Sequence, residues 1–143
     1  MLGPMRYAWG RWTANGANVF GHQEVRVRVP GTRQGLLPYV HPLLTQVATA
    51  YPQIKEGLLA ELYDEFDGAR DSLDDDVPDD VRSATNPTAL WSHVTLVHAW
   101  VGAYGSQHDI ELAYELAWDA EHTRGITVTD GRLSDYCGSV RRW

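Results

Sequence analysis

The segment Glu24-Val25-Arg26-Val27-Arg28-Val29 sends its valines to one side of an extended chain and its arginines to the other. A strand of this kind needs a cover for its apolar face, and Pro30-Gly31 ends it. The cover comes next, in helical rhythm. Leu36, Val40, Leu43, Leu44, Val47 and Tyr51 recur at helical spacing, and Pro42 suits a first turn, which predicts a helix to about Tyr51. Pro52 opens a second helix with Ile54, Leu58, Leu59, Leu62, Tyr63 and Phe66 as its apolar stripe. Lys55, Glu56, Glu61 and Glu65 face water, and Asp67-Gly68 closes it.

The β pattern lies on both sides of these helices. Residues 6–29 read as strands, with Asn15-Gly16 as a turn able to take positive φ. Asn86-Pro87 reads as a cap and first residue of a short helical turn through Trp91. Val94 to Val101 is a β-prone run, followed by a strand in which Ile110, Leu112, Tyr114, Leu116 and Trp118 share a face. A last hairpin, Gly125–Thr129 and Arg132–Cys137, turns at Asp130-Gly131. The expectation is one α+β domain over residues 1–143. It has a twisted, mainly antiparallel sheet, made of the N-terminal strands plus the C-terminal meander, with two central helices packed on one face. Pairing of Arg26 or Arg28 with Glu111 or Glu115 would tie the open face together.

Charge narrows the function classes. The chain of 143 residues carries a formal net charge of −7, which argues against generic binding to nucleic acid. Lys55 is its only lysine. No apolar run approaches a membrane span, and the Trp-, Tyr- and Arg-bearing start shows no signal peptide. With Cys137 alone no internal disulfide can form, so a reducing, cytoplasmic compartment is expected, and Cys137 itself is expected to be packed. Acid gathers between Glu61 and Asp80, where Arg70 opposes ten carboxylates, whereas the first strands carry Arg6, Arg11, Arg26, Arg28 and Arg33 against Glu24. Residues 68–84 read as a charged, mobile connection. Its Asp74, Asp75, Asp76, Asp79 and Asp80 are either a solvated surface or a recognition surface for a basic protein partner, such as a nucleic-acid-binding toxin. Their spacing does not meet the EF-hand register.

Two carboxylates and an imidazole at Asp119, Glu121 and His122 could ligate a metal ion or act as acid and base. An extended chain would put Asp119 and Glu121 on one face and His122 on the other, and a strand-end turn uses the same residue types. The remaining histidines are not at zinc spacing, and Ser92-His93 and Ser106-Gln107-His108 are adjacent pairs without triad geometry. There is no Gly-rich phosphate loop or Rossmann fingerprint, and no cofactor is expected. Most of the six tryptophans are expected in the core, with Trp12 or Trp143 left for an interface.

The run Trp118-Asp119-Ala120-Glu121-His122-Thr123-Arg124-Gly125-Ile126 resembles the C-terminal signature of a bacterial family of uncharacterised domains, DUF6985. The resemblance extends to the N-terminal Trp-bearing hairpin, the Val-rich strand and the acidic Leu62-Tyr63 segment. Thr123-Arg124 departs from it where a glycine usually follows the histidine. The family has no established activity. What the resemblance implies is the fold, a bacterial origin, and a neighbourhood in which small acidic domains accompany toxin and immunity genes. The leading expectation is therefore a non-enzymatic protein-binding module, of immunity type, neutralising a basic partner through its acidic surface. The alternatives are a metal-dependent or hydrolytic enzyme using Asp119, Glu121 and His122, and a structural subunit that self-associates through exposed aromatics. The oligomeric state stays open.

Overall fold

The computed structural model describes residues 2–102 and 105–140. Trp143 therefore lies outside the described residues. The chain forms an open eight-stranded sheet with one long helix laid across one face. Four strands precede the helix: β1 (Met5–Ala8), β2 (Arg11–Val19), β3 (His22–Thr32) and the short β4 (Gly35–Leu36). After α1 (Val40–Ala69), a 3-10 turn at Arg70–Ser72, the short α2 (Asp79–Arg82) and a 3-10 segment at Pro87–His93 lead to the meander. The meander comprises β5 (Val94–Val101), β6 (Asp109–Leu116), β7 (Asp119–Thr129) and β8 (Arg132–Val140). The path across the sheet is β1-β2-β3-β5-β6-β7-β8, with β4 on β3. Among the described residues only the β3–β5 junction is parallel, because the crossover through α1 returns the chain in its original direction.

The valines of β3 are fully buried in the core they share with α1, as their alternation requires. The helices expected on either side of Pro52 are one helix of 30 residues. Proline inside a helix removes a hydrogen bond and costs about 3 kcal/mol. Here Val47, Tyr51, Ile54 and Leu58 continue one buried stripe across the proline, and that burial holds both halves in line. Each buried side chain of this size contributes about 1.5–3 kcal/mol, so four of them outweigh the loss.

The turns also sit elsewhere than Asn15-Gly16. The first hairpins turn at Trp9-Gly10 and Phe20-Gly21, where all four residues have positive φ. Asn15-Gly16 instead makes a bulge within β2, where Ala14 pairs with Val27 and Ala17 with Val25. Glu24, itself at φ 58, makes the compensating irregularity on β3. The Asp130-Gly131 turn and the Asn86 cap fall where expected, Asn86 Oδ1 accepting from the Ala89 N–H at 3.0 Å.

Strand β5 lies between β3 and β6, so Arg28 faces Trp100, and Trp100 in turn faces Glu111. A direct cross-strand neighbour relation between the arginines of β3 and the glutamates of β6 is thereby replaced by a three-strand row. Arg11 joins the row, its guanidinium 4.9 Å from the Trp100 ring centre. Burial, then the charges of Arg11 and Arg26, lower the pKa of Arg28.

The tryptophans are less buried than expected. Trp118 is in the core, Trp12, Trp91 and Trp100 are half-buried, and Trp9 at its hairpin tip is 98% exposed. Cys137 is exposed rather than packed. Among the described residues, no helix is long and apolar enough to cross a membrane.

Candidate functional site

Polar groups gather in three places. The first is the acidic segment after α1, which has a defined path. Val77, Val81 and Ala84 drop into the core and pin the backbone. Its two arginines then turn inward to main-chain carbonyls. Arg70 donates to the carbonyls of Arg82 and Ala84, the latter at 2.7 Å. Arg82 donates to Val77 O at 3.2 Å, Leu73 O at 3.4 Å and Asp74 O. The carboxylates point the other way. Asp74, Asp75 and Asp76 are exposed on a turn, and Asp79 and Asp80 are exposed in the first turn of α2. Arg70 pairs with Asp67, and Asp80 lies 3.6 Å from His93 Nε2. Among the described residues Asp74, Asp75, Asp76 and Asp79 make no ion pair.

The second place is the end of the β6–β7 hairpin. Leu116 pairs with Asp119, but Glu115 pairs with Thr123, so Ala120 to His122 bulge out of the ladder. This undoes simple alternation and folds His122 back onto Asp119, with Nδ1 2.9 Å from Oδ1. The other carboxylate oxygen accepts from Arg124 Nη2 at 3.0 Å. Arg124 also reaches α1, donating through Nε and Nη2 to Glu65 Oε1, while the Tyr136 hydroxyl donates to Glu65 Oε2 at 2.5 Å. Burial alone would raise the pKa of Glu65, but the hydrogen bonds from Arg124 and Tyr136 outweigh it and the pKa is lowered.

This network joins helix, hairpin and last strand. It brings Asp119 and His122 together, and Glu121 is exposed beside them on the bulge. Among the described residues no three His, Cys, Asp or Glu side chains converge as a metal site needs, and no serine or cysteine is hydrogen-bonded to His122. Arg124, part of the departure from the signature, is the hub that sequence reasoning passed over.

The third place was missed altogether. His22, at the start of β3, accepts from the Leu96 N–H through Nδ1 at 3.3 Å. That bond fixes the tautomer, so the Nε2–H donates to the Tyr51 hydroxyl at 2.9 Å. The Tyr51 hydroxyl is in turn hydrogen-bonded to the fully buried Tyr114 hydroxyl, also at 2.9 Å. Burial, then the positive charge of Lys55, lowers the pKa of His22 and favours the neutral ring. Burial pushes Tyr51 up to about 12 and Tyr114 well above its ordinary value.

His22 and Tyr51 line the back of a cleft of about 480 Å³ between α1, the β2–β3 turn and the 87–93 segment. Phe20 stacks on Tyr51 at 5.0 Å, His22 meets Trp91 edge-on at 5.2 Å, and the Lys55 ammonium sits 4.4 Å over the Trp91 ring. A second cavity of about 470 Å³ shares Pro52 and Lys55 and continues past Glu56 to Pro87. The signal available in the sequence was the single lysine of an arginine-based chain, set three residues after a mid-helix proline.

The fold and these sites define an α+β protein with one face of an open sheet uncovered and no assembled metal cluster among its described residues. The chain belongs to the family of domains of unknown function DUF6985, which matches residues 1–141. No curated protein and no solved structure matches it.

Proposed function

We propose that the protein is a binding module that engages a basic protein partner through the acidic face carrying Asp74, Asp75, Asp76, Asp79 and Asp80. One observation carries the reading: Arg70 and Arg82 are turned to main-chain carbonyls, and among the described residues Asp74, Asp75, Asp76 and Asp79 stand exposed without an ion pair. A guanidinium turned inward leaves the surrounding surface charge uncompensated, and a segment pinned by Val77, Val81 and Ala84 holds that charge in a fixed pattern. Fixed, unpaired charge accelerates association with an oppositely charged surface and selects among partners. The immunity-type role implied by the family resemblance is one form of such binding.

The test is capture from native lysate at low and high salt, with the protein and with a variant carrying Asn at Asp74, Asp75, Asp76, Asp79 and Asp80. A stoichiometric basic protein held at low salt, released at high salt and lost with the variant supports the reading. Equal retention by the variant overturns it. The enzymatic alternative at Asp119, Glu121 and His122 is checked on the same material, because a divalent ion that raised the melting temperature would favour it.

A further inference from the structure

The cleft beside Lys55 lies apart from the acidic face, and its composition is that of a small-molecule site. Its volume of about 480 Å³ falls within the roughly 300–1,000 Å³ range of ligand pockets. Its walls are rings: Phe20, Tyr51 and Trp91, with the Pro52 ring at the rim. Phe20 and Trp91 are half-buried beside this open space and leave apolar surface in contact with water, which a flat apolar molecule would release.

The polar groups say which end of such a molecule carries charge. His22 bonds the Leu96 amide and Tyr51, and Tyr51 bonds Tyr114, so His22 and Tyr51 form a neutral back wall. The Lys55 ammonium is the cationic group lining the cleft, and its contact with the Trp91 face holds it there with hydrogens left to donate. In a chain of net charge −7 this is a local positive site. Glu56 lines the adjoining cavity and disfavours a second negative group in that direction.

We propose that this cleft binds a small aromatic monocarboxylate, its ring between Phe20 and Trp91 and its carboxylate on the Lys55 ammonium. The inference is independent of the acidic-face reading, since neither shares a residue with the other. One carboxylate matches one ammonium, and a ring matches the aromatic walls.

The experiment follows the Trp91 indole N–H by NMR, assigned with Trp91→Phe, during titration with indole-3-acetate, benzoate and their neutral amides. Saturable shifts are expected for at least one acid at submillimolar to millimolar concentration, with at least tenfold weaker binding of its amide. Lys55→Met should abolish the preference for acid over amide, and Lys55→Arg should keep most of it. Unchanged melting temperature in both variants shows that the fold is intact. Equal affinity for acid and amide, no saturable shift with either acid, or an unaltered preference in Lys55→Met would each overturn the proposal.

Discussion

Removing one oxygen from the middle of the His22–Tyr51–Tyr114 relay should cost more than removing one from its end. The Tyr51 hydroxyl bonds to a neighbour on each side, so Tyr51→Phe breaks two hydrogen bonds of 2.9 Å. It leaves the His22 Nε2–H at the cleft, where water replaces the lost acceptor, but strands the Tyr114 hydroxyl at 0% exposure. A lost hydrogen bond costs about 0.5–1.5 kcal/mol and a stranded buried group about 1–3 kcal/mol, giving roughly 2–4 kcal/mol for Tyr51→Phe. Tyr114→Phe removes only the terminal hydroxyl, and the Tyr51 hydroxyl keeps the His22 bond, so about 1 kcal/mol is expected. The double variant strands no hydroxyl in the core. Its cost should therefore fall short of the sum by about 1 kcal/mol, the coupling of a contacting pair. Urea denaturation of the four proteins with a common m-value measures this cycle. Additivity within about 0.3 kcal/mol, or Tyr51→Phe costing no more than Tyr114→Phe, would refute the central place of Tyr51 in the relay.

Other expectations follow from the same contacts. His22 has a lowered folded-state pKa, so the unfolded chain binds more protons as pH falls through its ordinary value of 6.5. Its contribution is fully present above that pH and lost as pH falls through the folded value. His22→Gln should flatten this part of the stability profile in urea titrations at pH 5 to 8. Arg124→Met removes the hub between Asp119 and Glu65 and should cost about 1–3 kcal/mol, whereas the more exposed His122→Ala should cost under about 0.5 kcal/mol. Thermal unfolding separates the two. Arg82→Met frees the carbonyls of Leu73, Asp74 and Val77, so the amides of residues 77–84 should exchange about tenfold faster with little change in global melting temperature.

The fold was legible wherever a single period ran unbroken. The valines of β3, the β5 run, the apolar face of β6 and the Asp130-Gly131 turn each declare themselves locally, because burial on one side imposes the pattern. The continuity of α1 was not legible, because proline is a strong local stop signal. Only the burial of Val47, Tyr51, Ile54 and Leu58 on one core face overrides it. Asn15-Gly16 misled for a related reason. Positive φ is demanded by a bulge as well as by a turn, and register across β2 and β3 decides which.

The sites divide along the same line. Asp119 and His122 were legible as a pair because they are close in sequence, yet their contact depends on a bulge that alternation cannot foresee. The partners that give the pair its character, Arg124 from further along β7, Glu65 from α1 and Tyr136 from β8, come together only through the order of strands. His22, Tyr51 and Tyr114 are separated by 29 and 63 residues and carry no shared motif. What places them together is the parallel β3–β5 junction, which lets the Leu96 amide donate to His22 while α1 lays Tyr51 above both. Acid–base and aromatic chemistry in this domain is therefore assembled by topology, whereas its surface charge is written locally. That difference is why the acidic face could be read before the fold, and the cleft could not.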